Sequence, residues 1–100
     1  EHFIVLYLDS KHQILKEETI SLGTLDASLV HPREVFKRAI QESAYGIILV
    51  HNHPSGDPSP SEEDKEITSK LVEVGDFLGI KVLDHVIVGK GGYYSIKENE

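Results

Sequence analysis

The stretch Tyr45-Gly-Ile-Ile-Leu-Val-His-Asn-His-Pro-Ser-Gly-Asp-Pro-Ser-Pro-Ser-Glu-Glu-Asp64 decides how this 100-residue chain is read. Tyr45 to Val50 is a continuous apolar run, which suits a central strand buried on both faces. His51 to Pro60 cannot be helix, because Pro54, Gly56, Pro58 and Pro60 interrupt it. A second helix starts at Ser61 and runs to about Gly79, a plausible stop. Ile67, Leu71, Val74 and Leu78 recur at helical spacing and predict its core-facing stripe. The stretch is therefore strand, reversal and helix.

Working outward, Phe3 to Asp9 is rich in β-formers and reads as a buried strand, closed by the polar turn Asp9-Ser10-Lys11-His12. Ile14 to Leu22 alternates imperfectly and reads as a half-exposed strand returning on the first. Gly23 to Ser28 is a connection, with room for a short strand. Pro32 fits a first helical turn, and Val35, Phe36, Ala39 and Ile40 form one face of a helix reaching about Ser43. After the second helix come a strand at Lys81 to Val88, a turn at Gly89 to Gly92, and a strand at Tyr93 to Ile96. The tail Lys97 to Glu100 reads as frayed. The order ββαβαββ predicts an α/β fold, a mixed β-sheet flanked by helices.

Within the reversal, His51 and His53 are two residues apart, so an extended backbone aims both imidazoles to one side. Pro54 favours that geometry in the residue before it. Asp64 lies in the first turn of the following helix. Two imidazoles and a carboxylate are three ligands, and a water completes the tetrahedron of a catalytic zinc. A plainer reading stands beside it: Ser61 with Asp64 three residues on approximates a capping box, both acids near it suit a helix start, and the histidines are ordinary loop residues. Ser61 carries both readings, as a cap or as a hydroxyl aimed into the cleft as an oxyanion donor.

The remaining candidates read as structural. Asp57 is a turn former, and Asn52 is expected to hold the loop backbone. His12 and His31 read as surface residues. His85 follows Asp84 on a strand, so the two face opposite ways and His85 is expected to be a hydrogen-bonded structural histidine. Tyr93 and Tyr94 are expected to pack.

Composition narrows the function. Hydrophobic residues make up 39%, enough for one core. Ten basic residues face seventeen acidic ones, a net charge of -7, which argues against nucleic-acid binding by this domain alone. A metal-dependent nuclease is disfavoured, because phosphate cleavage usually wants more carboxylates or two metals, and positive charge around the cleft. Cysteine is absent, so any zinc falls to histidine and carboxylate. No run reaches the length of a membrane span. With no signal peptide read at the start, the expected location is cytoplasmic. The chain opens Glu-His-Phe without a methionine, which reads as a single domain, 1–100, excised from a longer protein.

The string His51-x-His53-Pro54 followed by Ser61-x-x-Asp64 resembles the JAMM motif of the JAB/MPN metalloprotease superfamily. The fuller string from His51 to Asp64, with VHPREVFKRAI at 30 to 40 and VLDHVIVGKGGYYS at 82 to 95, is similar to the RadC branch. The resemblance covers nearly the whole chain. It implies a cytidine-deaminase-like α/β sandwich, Zn2+ on His51, His53 and Asp64, and hydrolysis of an amide or isopeptide bond in a polypeptide, with Ser61 polarising the carbonyl. It also implies a glutamate general base on an early strand. Glu1 matches that place best; a slip of one puts His2 there, and Glu17, Glu18 and Glu34 fit less well. The plain reading of Glu1 is a solvated terminal residue. The resemblance further implies a preceding helix-hairpin-helix segment, where DNA contact would more naturally lie. The alternative function is a non-catalytic metal-binding or interaction module associated with DNA repair. Oligomeric state is left open.

Overall fold

A computed structural model describes residues 1–22 and 30–99, with Ser21 and Leu22 described by backbone alone. The elements are β1 (His2–Leu8), β2 (Ile14–Leu22), α1 (Pro32–Gln41), β3 (Gly46–Asn52), α2 (Glu62–Leu78), β4 (Lys81–Gly89) and β5 (Gly92–Ser95). They build one five-stranded sheet of order β2-β1-β3-β4-β5. Among the described strands, the β3–β4 pair is parallel, as its helical crossover through α2 requires; the other described pairs are antiparallel. The expected mixed α/β sheet with helices is thus present. The connection expected at Gly23 to Ser28 lies outside the described residues.

Alternation decides which face is covered. Phe3, Val5 and Tyr7 of β1 and Ile47, Leu49 and His51 of β3 point to one side and are buried there. Both helices lie over that side, α1 through Val35, Phe36 and Ala39, α2 through Ile67, Leu71 and Gly75. The Tyr7 hydroxyl donates to the Val35 carbonyl at 3.1 Å and so ties β1 to α1. Burial raises the Tyr7 phenol well above its ordinary range.

Four expectations are corrected. β3 was expected to be buried on both faces, yet Ile48 and Val50 are half-buried, because both described helices cover the opposite side. Ile40 and Leu78 are exposed, since each stripe is narrower than its apolar spacing. In α2, Gly75 takes the place expected of Leu78, letting the helix approach the Phe36 ring. The tail is held: Lys97 N–H donates to Asp84 Oδ1 at 3.0 Å, and Glu98 N–H to Ser95 Oγ at 3.1 Å. Tyr93 is exposed and does not pack. Among the described residues no helix is long and apolar enough to cross a membrane.

A glycine-to-alanine change inside a helix ordinarily stabilises by about 1 kcal/mol. At Gly75 a Cβ would stand 2.4 Å from the Ile80 carbonyl oxygen, which is backbone and cannot step aside. Gly75→Ala is therefore expected to destabilise by about 1–3 kcal/mol, read as a lower midpoint in urea.

Candidate metal centre

β3 runs through Asn52, so the extended geometry that aims two imidazoles to one side is realised. Asn52 does not hold its own loop as expected. Its side-chain oxygen accepts from the His2 N–H, which fixes the start of β1 beside the end of β3. The reversal is instead held by other residues. Asp57 Oδ1 accepts from the Ser59 N–H at 3.0 Å, the turn-former role expected of it. His53 N–H donates to the Val88 carbonyl at 2.9 Å, and Lys90 N–H to that of Gly56 at 2.9 Å, so the loop is bonded to β4 and its turn.

Ser61 is the N-cap of α2. Its hydroxyl accepts from the Asp64 N–H at 3.1 Å and donates to Asp64 Oδ2 at 2.9 Å, while its own N–H donates to Oδ2 at 2.8 Å. The capping reading of Ser61 is thus realised, and the box has a second use. It fixes Asp64, which is fully buried, against the histidines. Asp64 Oδ1 lies 2.9 Å from His51 Nδ1, and Oδ2 lies 2.9 Å from His53 Nε2. Glu1 joins from the start of β1, with Oε1 3.0 Å from His51 Nε2. The structure brings His51, His53, Asp64, Ser61 and Glu1 together. It places Glu17 on edge strand β2, pairs Glu18 with Arg38, and leaves Glu34 exposed on α1.

The electrostatics follow from burial against pairing. Burial pushes the Asp64 carboxyl up, yet the His51 hydrogen bond, with those from Ser61, holds it well below the usual carboxylate range. Burial pulls His51 downward, but the Asp64 and Glu1 carboxylates outweigh it and leave His51 above its ordinary value. Asp57 is lowered by hydrogen bonds from Ser59.

Donor counting shows that the cluster suits a cation. His53 Nδ1 lies 2.8 Å from the Asp57 carbonyl, which only accepts, so that nitrogen carries the hydrogen. His53 Nε2 then presents a lone pair to Asp64 Oδ2, and the two repel unless a proton or metal ion lies between them. His51 has a carboxylate oxygen at each ring nitrogen and meets the same requirement. One ligand atom from each of Glu1, His51 and His53 lies within 4.8 Å of the other two, as does one from each of His51, Asp64 and His85. Imidazole and carboxylate donors of this kind suit zinc.

The plain sequence reading missed His85. It is 1% exposed, and its Nδ1 lies 2.7 Å from Thr68 Oγ1, but Nε2 is buried with no hydrogen-bond partner among the described residues. The expectation of a fully hydrogen-bonded histidine is corrected: Asp84 faces away to bond the tail, and nothing described reaches Nε2. Burial pushes its pKa down to about 4. The parallel register that sets Leu49 beside His85 is a long-range pairing, and no local spacing signals it.

Two outcomes follow. Ser61→Ala removes the cap and is expected to cost about 0.5–2 kcal/mol in thermal or urea unfolding. In metal-free protein the raised His51 pKa contributes stability that is complete below about pH 6.5, the unfolded value, and is lost as pH rises through the folded value. Melting midpoints in chelator should show this loss on the alkaline side of 6.5, and His51→Gln should remove it.

A family model described as the RadC-like JAB domain matches residues 1–100. UPF0758 proteins of Methanosarcina mazei and of Caldanaerobacter subterraneus subsp. tengcongensis are each 64% identical to the chain over 98 residues. A UPF0758 protein of Chlorobaculum tepidum is 60% identical over 99 residues. These alignments cover 98%, 98% and 99% of this chain but 43%, 42% and 45% of the respective relatives. The chain therefore spans less than half the length of the curated relatives it matches. The family match and the clustered potential ligands support a JAMM-like metallohydrolase or a related module. The chain belongs to the family of RadC-like JAB domains.

Proposed function

We propose that the chain is a zinc-dependent hydrolase of amide or isopeptide bonds in an extended polypeptide substrate, acting in the cytoplasm. His51, His53 and Asp64 would hold the ion. The observation that carries this reading is His53 Nε2 set 2.9 Å from a buried carboxylate that His51 also contacts. When bound, zinc supplies Lewis-acid polarisation and brings the pKa of water down to about 7.

The chain's own residues supply the rest. Glu1, partly exposed beside His51, would take a proton from the attacking water and return it to the leaving amine. His53 is kept in one tautomer by the Asp57 carbonyl, so its Nε2 stays available. Ser61 holds Asp64 in place; the carbonyl-polarising role implied for it has its hydroxyl turn from Asp64 Oδ2 to the substrate oxygen. With a net charge of -7, DNA contact in a longer protein is better assigned to a preceding helix-hairpin-helix segment.

Glu1→Gln keeps the shape of the side chain and removes the base. Expected is a fall of about 100-fold or more in peptide or isopeptide hydrolysis, with zinc content by metal analysis unchanged. Equal hydrolysis by this variant and the parent chain would remove Glu1 from the reaction.

One observation favours the second reading, an interaction module. Ile4, Leu6, Ile48, Val50 and Val86 are half-buried on the sheet face that neither described helix covers. Under that reading, Ile48→Lys abolishes binding to whatever protein co-purifies, while zinc content and hydrolysis stay as in the parent chain.

A further inference from the structure

Thr68 and His85 settle a proton position that the sequence does not. The Thr68 hydroxyl has one hydrogen, and it is donated to the Asp64 carbonyl at 2.8 Å, within the helix. Toward His85 Nδ1, 2.7 Å away, the same oxygen can only accept. His85 therefore carries its hydrogen on Nδ1. Nε2 is a bare lone pair, in a side chain 1% exposed, with no partner among the described residues. Leaving such a group buried and unpaired is destabilising.

His85 stands in a buried cluster of potential metal ligands. One ligand atom each of His51, Asp64 and His85 lie within 4.8 Å of one another, and all three residues are buried. His51 and Asp64 each have two donor atoms. Toward Glu1 and His53 they present Nε2 and Oδ2; toward each other they present Nδ1 and Oδ1 at 2.9 Å. The second pair, with His85, is a separate ligand set. It contains two imidazoles and one carboxylate, which is the donor chemistry of a borderline divalent transition ion.

We propose that His51, Asp64 and His85 form an interior cation position for zinc or a similar divalent transition ion, in competition with the solvent-facing position. This rests on the reading of the outer residues as zinc ligands only for the competition, not for the interior site itself. The two positions exclude each other through one proton. A neutral His51 has a single bare nitrogen. With the hydrogen on Nδ1 it serves the outer position; with the hydrogen on Nε2, donated to Glu1, it serves the inner one. An ion in the inner position is closed to solvent and presents no vertex to substrate, the condition of a structural rather than a catalytic site.

The test uses the purified chain and cobalt(II) or zinc(II) alone. His53→Ala removes an outer ligand and leaves the inner set intact. Expected is retention of about one ion per chain, with X-ray absorption counting two imidazole ligands. His53→Ala/His85→Gln is expected to lose at least about ten-fold in affinity for that ion. Failure of His53→Ala to bind metal while melting as the parent chain does, or a single imidazole in its spectrum, overturns the proposal. So does an unchanged affinity in the double variant. Should the double variant fail to fold, the imidazole count in His53→Ala decides alone. The two readings fail separately: an ion held by His53→Ala with no hydrolysis by the parent chain removes only the hydrolase, and a metal-free His53→Ala beside an active parent chain removes only the interior position.

Discussion

The architecture turns on one buried carboxylate. Asp64 is fully enclosed, and an enclosed anion costs several kcal/mol unless paired. Its partners come from three places in the chain: His51 at the end of β3, His53 in the reversal, and the Ser61 cap of its own helix. Satisfying that charge fixes where α2 starts relative to β3. It also sets the helix stripe of Ile67 and Leu71 over the sheet, so the same interaction organises the polar centre and much of the core.

The family assignment rests on residues 1–100 as a whole, and the chemistry rests on this one corner. The corner is local in sequence on one side and distant on the other. His51, His53, Ser61 and Asp64 fall within fourteen residues, whereas Glu1 and His85 arrive through pairing of β1 and β4 with β3. A strand between two partners therefore gathers the two ends of the chain's chemistry at its own C-terminal end.

That division explains what the sequence made legible. Strand periodicity put His51 and His53 on one side, and proline with glycine marked the reversal; both are properties of adjacent residues. The capping box was readable for the same reason. Ile40 and Leu78 were misread because apolar spacing says which residues share a face but not how wide the covering surface is. The half-exposure of Ile48 and Val50 was illegible, since a β-rich run does not state how many of its faces are covered. Asn52 and His85 were misread because their surroundings are set by strand order, which no short window contains. The tail was read as frayed on charge alone; the decisive partner, Asp84, lies thirteen residues earlier than Lys97.

The backbone bonds from the reversal to β4 carry one more consequence. Gly89 is packed so closely that a Cβ there would stand 2.4 Å from the Gly56 carbonyl oxygen and 2.9 Å from Pro58. The ligand loop is thus cast against its neighbour as a template, with main chain meeting main chain. An exposed side chain such as Ser59, which enters the loop's bonding through its backbone N–H, can vary without displacing His53. Length cannot: one residue added between His53 and Ser61, or in the β4–β5 turn, shifts the register of the whole joint. The joint is thus sensitive to the number of residues in the loop, because main chain meets main chain across it.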